Sequence, residues 1–257
     1  MRTRYEAMMD GIPLSSIDPA IIVTDIQEVA PNVRRTTANY PTGDGQRVLR
    51  TVRQSLVVTV CFEIHDQNVR RRADICERVQ KWAQGRFLAV NYRPEQRLRV
   101  VCETPPQIAS SLVWTQQLKA TFAAYAVPFW EDALATMITI TGNGSASSYV
   151  RGTAKEALVE ATVQNTGSAA ITAATLKAGS STLAFSGISI PAKGSIVIAY
   201  DDDRVLSAKI GSTSVLARRT TASDDDLLAP CGQKVTFSVS GAGAGAKTTF
   251  SVRGWYL

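Results

Sequence analysis

The sequence predicts a mainly β protein of two domains: an N-terminal antiparallel β-barrel or sandwich with one α-helix and a hairpin arm, and a C-terminal β-sandwich of the jelly-roll type. Apolar residues alternate with a period of two in many segments of the 257-residue chain, whereas helical spacing is convincing in one. Composition also changes near the middle, because fifteen arginines precede position 137 and thirteen glycines follow it. The predicted domains are residues 1–134 and 135–257.

The clearest strand signal lies at residues 55–64, where β-branched residues are enriched and apolar side chains alternate. One predicted face carries Leu56, Val58, Val60, Phe62 and Ile64. A second long strand is expected at 111–127, with Trp114 and Leu118 on the same face. Between them, residues 86–92 and 97–104 flank a turn with Pro94 and predict a hairpin.

A hairpin or extended arm is expected to lead into the first of these strands. Gly43, Asp44 and Gly45 mark its turn, and Arg47, Arg50 and Arg53 follow on the second branch. An unpaired strand edge invites pairing with another chain, so this arm is a candidate subunit interface.

Residues 66–85 show the spacing of an amphipathic helix. The predicted buried face consists of Val69, Ala73, Cys76, Val79 and Trp82. Asp66 is expected to cap the start, and Gly85 to end the helix in the left-handed region.

The same helix carries Arg70, Arg71 and Arg72. A solvated face with local ion pairs, an acidic protein partner or neighbouring subunit, and nucleic acid are the three interpretations of this basic run. Nucleic acid is the least favoured, because no aromatic residues for base stacking alternate with these arginines.

The first domain is expected to close at residues 121–132. Pro128 lacks a ladder donor and ends the strand. Phe129 and Trp130 are predicted to pack under the seam between the domains and not to bind a ligand. Beyond them, short apolar runs recur about every ten residues between turn signals, which is typical of a β-sandwich.

Bulk composition indicates a globular protein, with 45% hydrophobic and 19% charged residues. No run approaches a membrane span, and the start lacks an apolar signal segment, so we expect synthesis in a cytoplasm without membrane insertion. The net charge of +6 is divided evenly between the halves, which is weak evidence for nucleic-acid binding. Cys61, Cys76, Cys102 and Cys231 form no disulfide pattern and are expected to be free.

Residues for catalysis, cofactors or metals are not evident. The single histidine, His65, lies at a strand end without ligand-spaced partners and is interpreted as structural. Glycine clusters lack the phosphate-loop pattern. The acidic runs 201–203 and 224–226 are interpreted as solvated turns, with a cation site and a paired-carboxylate glycosidase as alternatives.

The chain as a whole resembles the distal tail (Dit) protein family of siphophages. The first half carries the resemblance through residues 10–16, 21–48, the helix ending at 79–85, and Pro128 to Asp132. The second half resembles the galectin-like or carbohydrate-binding-module-like sandwich of that family at residues 163–179, 183–203, 228–239 and 252–257.

This resemblance implies a structural protein of the virion tail tip and not an enzyme. Family members form a hexameric ring between the tail tube and the baseplate, through which DNA passes, with outward-facing sandwiches. The implied partners are further copies of the chain, the tail tube protein, tail-associated proteins and the tape measure protein. The arginines at 47–53 and 70–72 are then expected to face protein and not the channel, because cations bind phosphate strongly.

An alternative function is carbohydrate binding or host adhesion by the second domain. Tyr200 and Trp255 are the exposed aromatic residues expected to contact a glycan in that case. A hydrolase that uses the acidic runs is the third possibility.

Overall fold

The computed structural model describes residues 5–39, 44, 46–107 and 115–257. The chain divides into two compact units, Met1–Trp130 and Glu131–Leu257. This division lies a few residues before the boundary expected at 134/135. The mainly β fold class with one α-helix is confirmed.

The first unit contains one α-helix and a set of short and long strands in its described part. The strands are β1 (Ala7–Met9), β2 (Ile12–Pro13), β3 (Ile21–Val29), β4 (Val33–Asn39), β5 (Gln46–Arg53), β6 (Leu56–His65), β7 (Phe87–Val90), β8 (Gln96–Arg99), β9 (Val101–Thr104) and β10 (Thr115–Ala124). Helix α1 spans Val69–Trp82, and a 3₁₀ turn spans Leu14–Ser16.

These strands form antiparallel sheets and a hairpin. Strands β2, β1, β7 and β8 lie side by side in one sheet, β3, β6, β10 and β9 form the second, and β4 pairs with β5 as the arm. Neither sheet closes into a barrel within the described residues, so the sandwich alternative of the prediction applies.

Strand β6 shows the predicted pattern. Its alternate residues from Leu56 to Ile64 are all buried. It pairs with β10 over its whole length, and Phe122 lies opposite Val58. Because Trp82 of the helix meets Phe122 edge-on, with ring centroids 6.0 Å apart, the helix packs on the buried face of this sheet. Trp114 lies outside the described residues.

The predicted hairpin at 86–104 is formed only in part. Strands β7 and β8 pair, with Phe87 opposite Arg99. Strand β9 then leaves this sheet and pairs with β10 in the other one. The chain changes sheet at Val100, which is buried.

Helix α1 differs from the prediction in its caps and its buried face. Asn68, not Asp66, caps the helix, since its side chain accepts from the backbone N–H groups of Arg70 and Arg71. Gly85 does not have a positive φ. A Cβ at Gly85 would overlap the Met9 side chain, so close packing requires the glycine there. Val69 is 52% exposed, so its predicted burial was wrong.

The second unit consists of strands connected by turns and one 3₁₀ turn (Leu216–Arg218). Strand β11 (Trp130–Asp132) crosses the division between the units. The others are β12 (Thr136–Thr141), β13 (Gly144–Val150), β14 (Glu156–Asn165), β15 (Ile171–Ala178), β16 (Ser181–Ile190), β17 (Ser195–Tyr200), β18 (Leu206–Ile210), β19 (Thr213–Ser214), β20 (Leu228–Pro230), β21 (Gln233–Ser240), β22 (Ala246–Val252) and β23 (Trp255–Tyr256).

The predicted sandwich is confirmed in this unit. One antiparallel sheet has the order β12, β22, β14, β17, β18, β19, with β20 also paired to β14, and the other has the order β13, β21, β15, β16. Phe237 and Phe250 come from different sheets, and their ring centroids lie 5.3 Å apart in the core. Alternate residues of each strand thus fill the space between the sheets.

No helix in the described part of the chain is long and apolar enough to cross a membrane.

Candidate assembly interface

The arm formed by β4 and β5 is the most exposed regular element of the first unit. All eight residues of β5 are exposed. Four apolar side chains lie open to solvent, Val33 (44%), Val48 (51%), Leu49 (58%) and Val52 (41%). An isolated two-stranded hairpin is marginally stable in water, so this element is suited to packing against a partner.

The arginines of the arm divide between its two faces. Arg34 lies opposite Val52, Thr36 opposite Arg50 and Ala38 opposite Arg47. By this register, Arg34, Arg47 and Arg50 share one face, while Arg35 and Arg53 lie on the other. The guanidinium of Arg53 lies 6.0 Å from the centroid of the Phe129 ring, near the root of the arm.

The helix arginines have different surroundings. Arg72 is buried and donates to the backbone oxygen of Asp66 at 2.7 Å. Arg71 lies 3.2 Å from the Asp66 carboxylate and 3.5 Å from Asp18. Arg70 is exposed. Interface roles for these three stay predictions, and the geometry favours Arg70 most.

Asp18 is the centre of the ion-pair network that holds the helix. Its carboxylate accepts from Arg78 at 2.8 Å as well as from Arg71. The backbone N–H of Ala20, followed by these two arginines, holds the pKa of Asp18 below its usual value, although burial opposes the shift. Much of the basic face of the helix therefore pairs with acids of its own unit.

The residues predicted to lie at the seam between the domains run from Pro128 to the buried Trp130. Trp130 is 1% exposed, and its indole N–H donates to Glu28 at 3.1 Å. Glu28 also accepts from the Tyr92 hydroxyl at 2.6 Å and from Arg93 at 3.2 Å. Burial and the bond to Glu28 raise the pKa of Tyr92. Trp130 is thus fixed within the first unit, and its role at a seam stays a prediction.

This network was not foreseen, because Glu28 and Trp130 lie 102 positions apart in the sequence. Arg93 also lies over the Trp130 ring, 5.2 Å from its centroid. The network surrounds the end of β3, immediately before the arm. At the other end of the arm, Arg53 lies over Phe129. The residues on both sides of the arm therefore lie beside the last aromatic residues of the unit.

In the sheet of β3, β6, β10 and β9, the face opposite the helix, here called the open face, carries polar residues around the buried Cys61. Register puts Asp25 beside Cys61, which lies beside Lys119. Thr59 and Thr121 are neighbours on the same open face, with hydroxyls 3.3 Å apart. None of the four strands contains arginine. Strands β3 and β9 are the edges of this sheet among the described strands.

The acidic runs of the second unit form turns. Asp201 accepts from the N–H groups of Asp203 and Val205. Asp224 accepts from Thr182 N–H at 2.7 Å, and Asp226 pairs with Arg204 at 3.2 Å. The second run lines an open cleft of about 320 Å³ with Glu156, Ser180, Ser181, Leu228 and Pro230. The described residues contain no group of three His, Cys, Asp or Glu positioned to hold a metal ion.

The aromatic residues expected to contact glycans are not exposed. Trp255 is 5% exposed. Tyr200 is half-buried, accepts from Leu227 N–H at 2.7 Å, and has its pKa raised chiefly by burial. The prediction that these rings lie on the surface was wrong, because Arg204 covers the Trp255 ring at 5.7 Å and the Tyr200 hydroxyl is engaged by the backbone of Leu227.

The remaining candidate groups are His65 and the four cysteines. His65 is exposed, with Nε2 2.9 Å from Glu63. All four cysteines are free, as predicted. Burial raises the pKa of each thiol, which favours the protonated form.

No protein-family model and no curated protein sequence matches the chain significantly. Solved structures do match it. The SPP1 Dit protein, described as a paradigm of the hub adsorption apparatus in phages that infect Gram-positive hosts, aligns with a TM-score of 0.66 at 11% identity, covering 98% of this chain and 99% of that one.

Two structures of the phage p2 baseplate in its activated conformation are also similar. The one with Sr has a TM-score of 0.47 at 11% identity and covers 97% of each chain. The one with Ca has a TM-score of 0.48 at 12% identity and covers 98% of each chain. Both scores are too low to define a fold. The match to the SPP1 protein extends over both units, and this chain therefore has the Dit fold along almost its entire length.

Proposed function

We propose that the chain is a structural protein of a phage tail tip. It forms a hexameric ring that joins the tail tube to the baseplate, and DNA passes through the channel of this ring. The observation that supports this most is the likeness to the SPP1 Dit hub over 98% of the chain. The proposed partners are other copies of the chain, the tail tube protein, tail-associated proteins and the tape measure protein.

The sheet of β3, β6, β10 and β9 supports closure into a ring. Its edge strands, β3 and β9, differ in sequence and lie on opposite sides of the sheet. A contact between unlike edges of neighbouring copies is heterologous, and heterologous contacts close into rings when the rotation fits. Exposed sheet edges also favour pairing with another chain.

The open face of the same sheet is suited to a channel that DNA crosses. It carries two acids, Asp25 and Glu63, and one lysine, Lys119, and its strands lack arginine. A basic lumen would retain DNA, because contacts between cations and phosphates are strongly favourable. The distribution of charge supports placing the arginine-rich surfaces at protein contacts.

The test is the assembly state of the full chain, measured by light scattering coupled to size exclusion and by negative-stain imaging. We expect rings of six copies, either alone or after addition of the tail tube protein. A chain that stays monomeric at all concentrations, with and without that partner, contradicts the proposal. A structure of the ring with the arm arginines lining the lumen contradicts the channel assignment alone.

A further inference from the structure

One face of the arm carries three arginines and no acid. Arg34, Arg47 and Arg50 share this face by register, together with the apolar Val52 and the small Ala38. All three arginines are exposed. Within the described part of the arm, Asp44 is the single carboxylate, and it lies between the two strands.

This face combines charge with exposed apolar area. Val52 is 41% exposed beside the arginines, and Leu49 at the bulge is 58% exposed. Arginine and apolar side chains together are typical of protein interfaces, where arginine is enriched. The described arm residues include no aromatic side chain on which a base could stack. A protein surface therefore fits this face better than nucleic acid does.

The chain itself offers complementary charge. Asp203, Asp224 and Asp225 are exposed in turns of the second unit. The arm has five arginines and one carboxylate, Asp44. The charge of four arginines is therefore not neutralised within the hairpin. In a ring, each arm meets a neighbour of the same sequence, so an acidic surface of the next copy is available to it.

We propose that the face formed by Arg34, Arg47 and Arg50 docks onto an acidic, partly apolar surface of a second copy of this chain. This inference rests on the proposed ring and specifies the chemistry of one contact in it. Guanidinium groups pair with carboxylates there, and Val52 is removed from water. The contact weakens as salt rises, because its charges start from solvent-exposed positions.

The experiment compares self-association of the full chain with that of two matched variants. The first, R34Q/R47Q/R50Q, removes three charges from the arm face. The second, K177Q/K209Q/K247Q, removes three charges from exposed positions of the sandwich. Sedimentation velocity is recorded from about 0.05 to 0.5 M NaCl, a range over which screening changes strongly. Circular dichroism checks that both variants are folded.

We expect the arm variant to self-associate at least about tenfold more weakly at low salt, and the sandwich variant to change by less than about twofold. Wild-type association is expected to weaken with salt, and association of the arm variant to depend on salt less. Rings that form equally well with the arm variant overturn this inference and leave the ring proposal standing. A wild-type chain that stays monomeric at every salt concentration, both alone and with the tail tube protein, overturns both.

Duplex DNA is the probe for the competing class of partner. At low salt, the DNA is expected to bind the wild type no more tightly than it binds the arm variant. DNA binding that depends on the three arginines, together with unchanged self-association, assigns the face to nucleic acid and overturns the inference.

Discussion

Trp130 ends the first unit and Trp255 lies near the end of the second, and both indoles are almost fully buried, but different groups hold them. Around Trp130 the contacts come from side chains: Glu28 accepts its indole N–H, and Arg93 covers its ring. Around Trp255 backbone contacts are added to a similar cation–π contact, since the guanidinium of Arg204 lies 5.7 Å from the ring centroid. The Trp255 carbonyl oxygen accepts from the N–H groups of both Thr153 and Ala154.

Glycines make the second arrangement possible. Gly152 bridges to Trp255 with a φ of 118°, and a Cβ at this position would overlap the Trp255 backbone. Gly254 donates to the buried Asp132 carboxylate at 3.0 Å, and Asp132 also accepts from the Tyr256 hydroxyl. The end of the second unit therefore depends on close backbone packing at Gly152 together with the buried Asp132, whereas the end of the first depends on side chains around Glu28.

The largest expected effect is that of Gly152→Ala. The added methyl group meets backbone that cannot rotate away, and φ is unfavourable for alanine, so we expect a loss of at least about 3 kcal/mol in the free energy of unfolding. Calorimetry measures the loss, and hydrogen exchange should locate it in the second unit. The matched control is Gly211→Ala, at a φ of 60° with open space around the Cβ, for which about 1 kcal/mol is expected. Equal losses in the two variants would show that backbone fit does not distinguish the second unit.

Glu28→Ala tests the other side of the comparison. It leaves Tyr92, Arg93 and the Trp130 indole without their shared acceptor, and we expect a loss of about 2 to 3 kcal/mol. Urea unfolding followed by tryptophan fluorescence measures it. Glu103→Ala is the control, because Glu103 also accepts from a tyrosine, Tyr125, but at the surface. The Glu103 change is expected to cost less than about 0.5 kcal/mol, and a cost as large as that of Glu28→Ala would contradict the importance of the cluster.

Some of this organisation follows from sequence patterns, and some depends on contacts that no local pattern contains. The period of two in β6 predicted its buried residues because one face of a sheet is covered, and the glycines near 43–45 predicted the arm. The helix cap was assigned to Asp66 because Asp and Asn cap helices equally well, and sequence does not choose between two such residues so close together. Glu28 and Trp130 meet only after the chain has folded. The burial of Trp255 likewise depends on Gly152, a distant residue.

Asp18→Asn tests whether the ion-pair network around Asp18 makes the stability of the first unit depend on pH. The pKa of Asp18 is lowered in the folded state, so its stabilisation is present above the unfolded-state pKa of about 3.9 and is lost as pH falls through the lower folded-state value. At pH 7 the variant is expected to be less stable by about 1.5 kcal/mol. Below the folded-state pKa the melting temperatures of variant and wild type should converge. A gap that stays constant with pH would show that packing, and not the ionised carboxylate, is lost.

The smallest expected effect is that of Asn68→Ala at the start of the helix. Its side-chain oxygen accepts from Arg70 N–H at 3.0 Å and from Arg71 N–H at 3.3 Å, and removing it should cost about 1 kcal/mol. Asn68→Asp retains an acceptor at the same position and should stay within about 0.5 kcal/mol of the wild type in chemical unfolding. Because the site is exposed, the cap can be partly replaced by water, which keeps the loss below that at Glu28. If Asn68→Ala costs as much as Glu28→Ala, burial is not what separates strong from weak polar contacts in this unit.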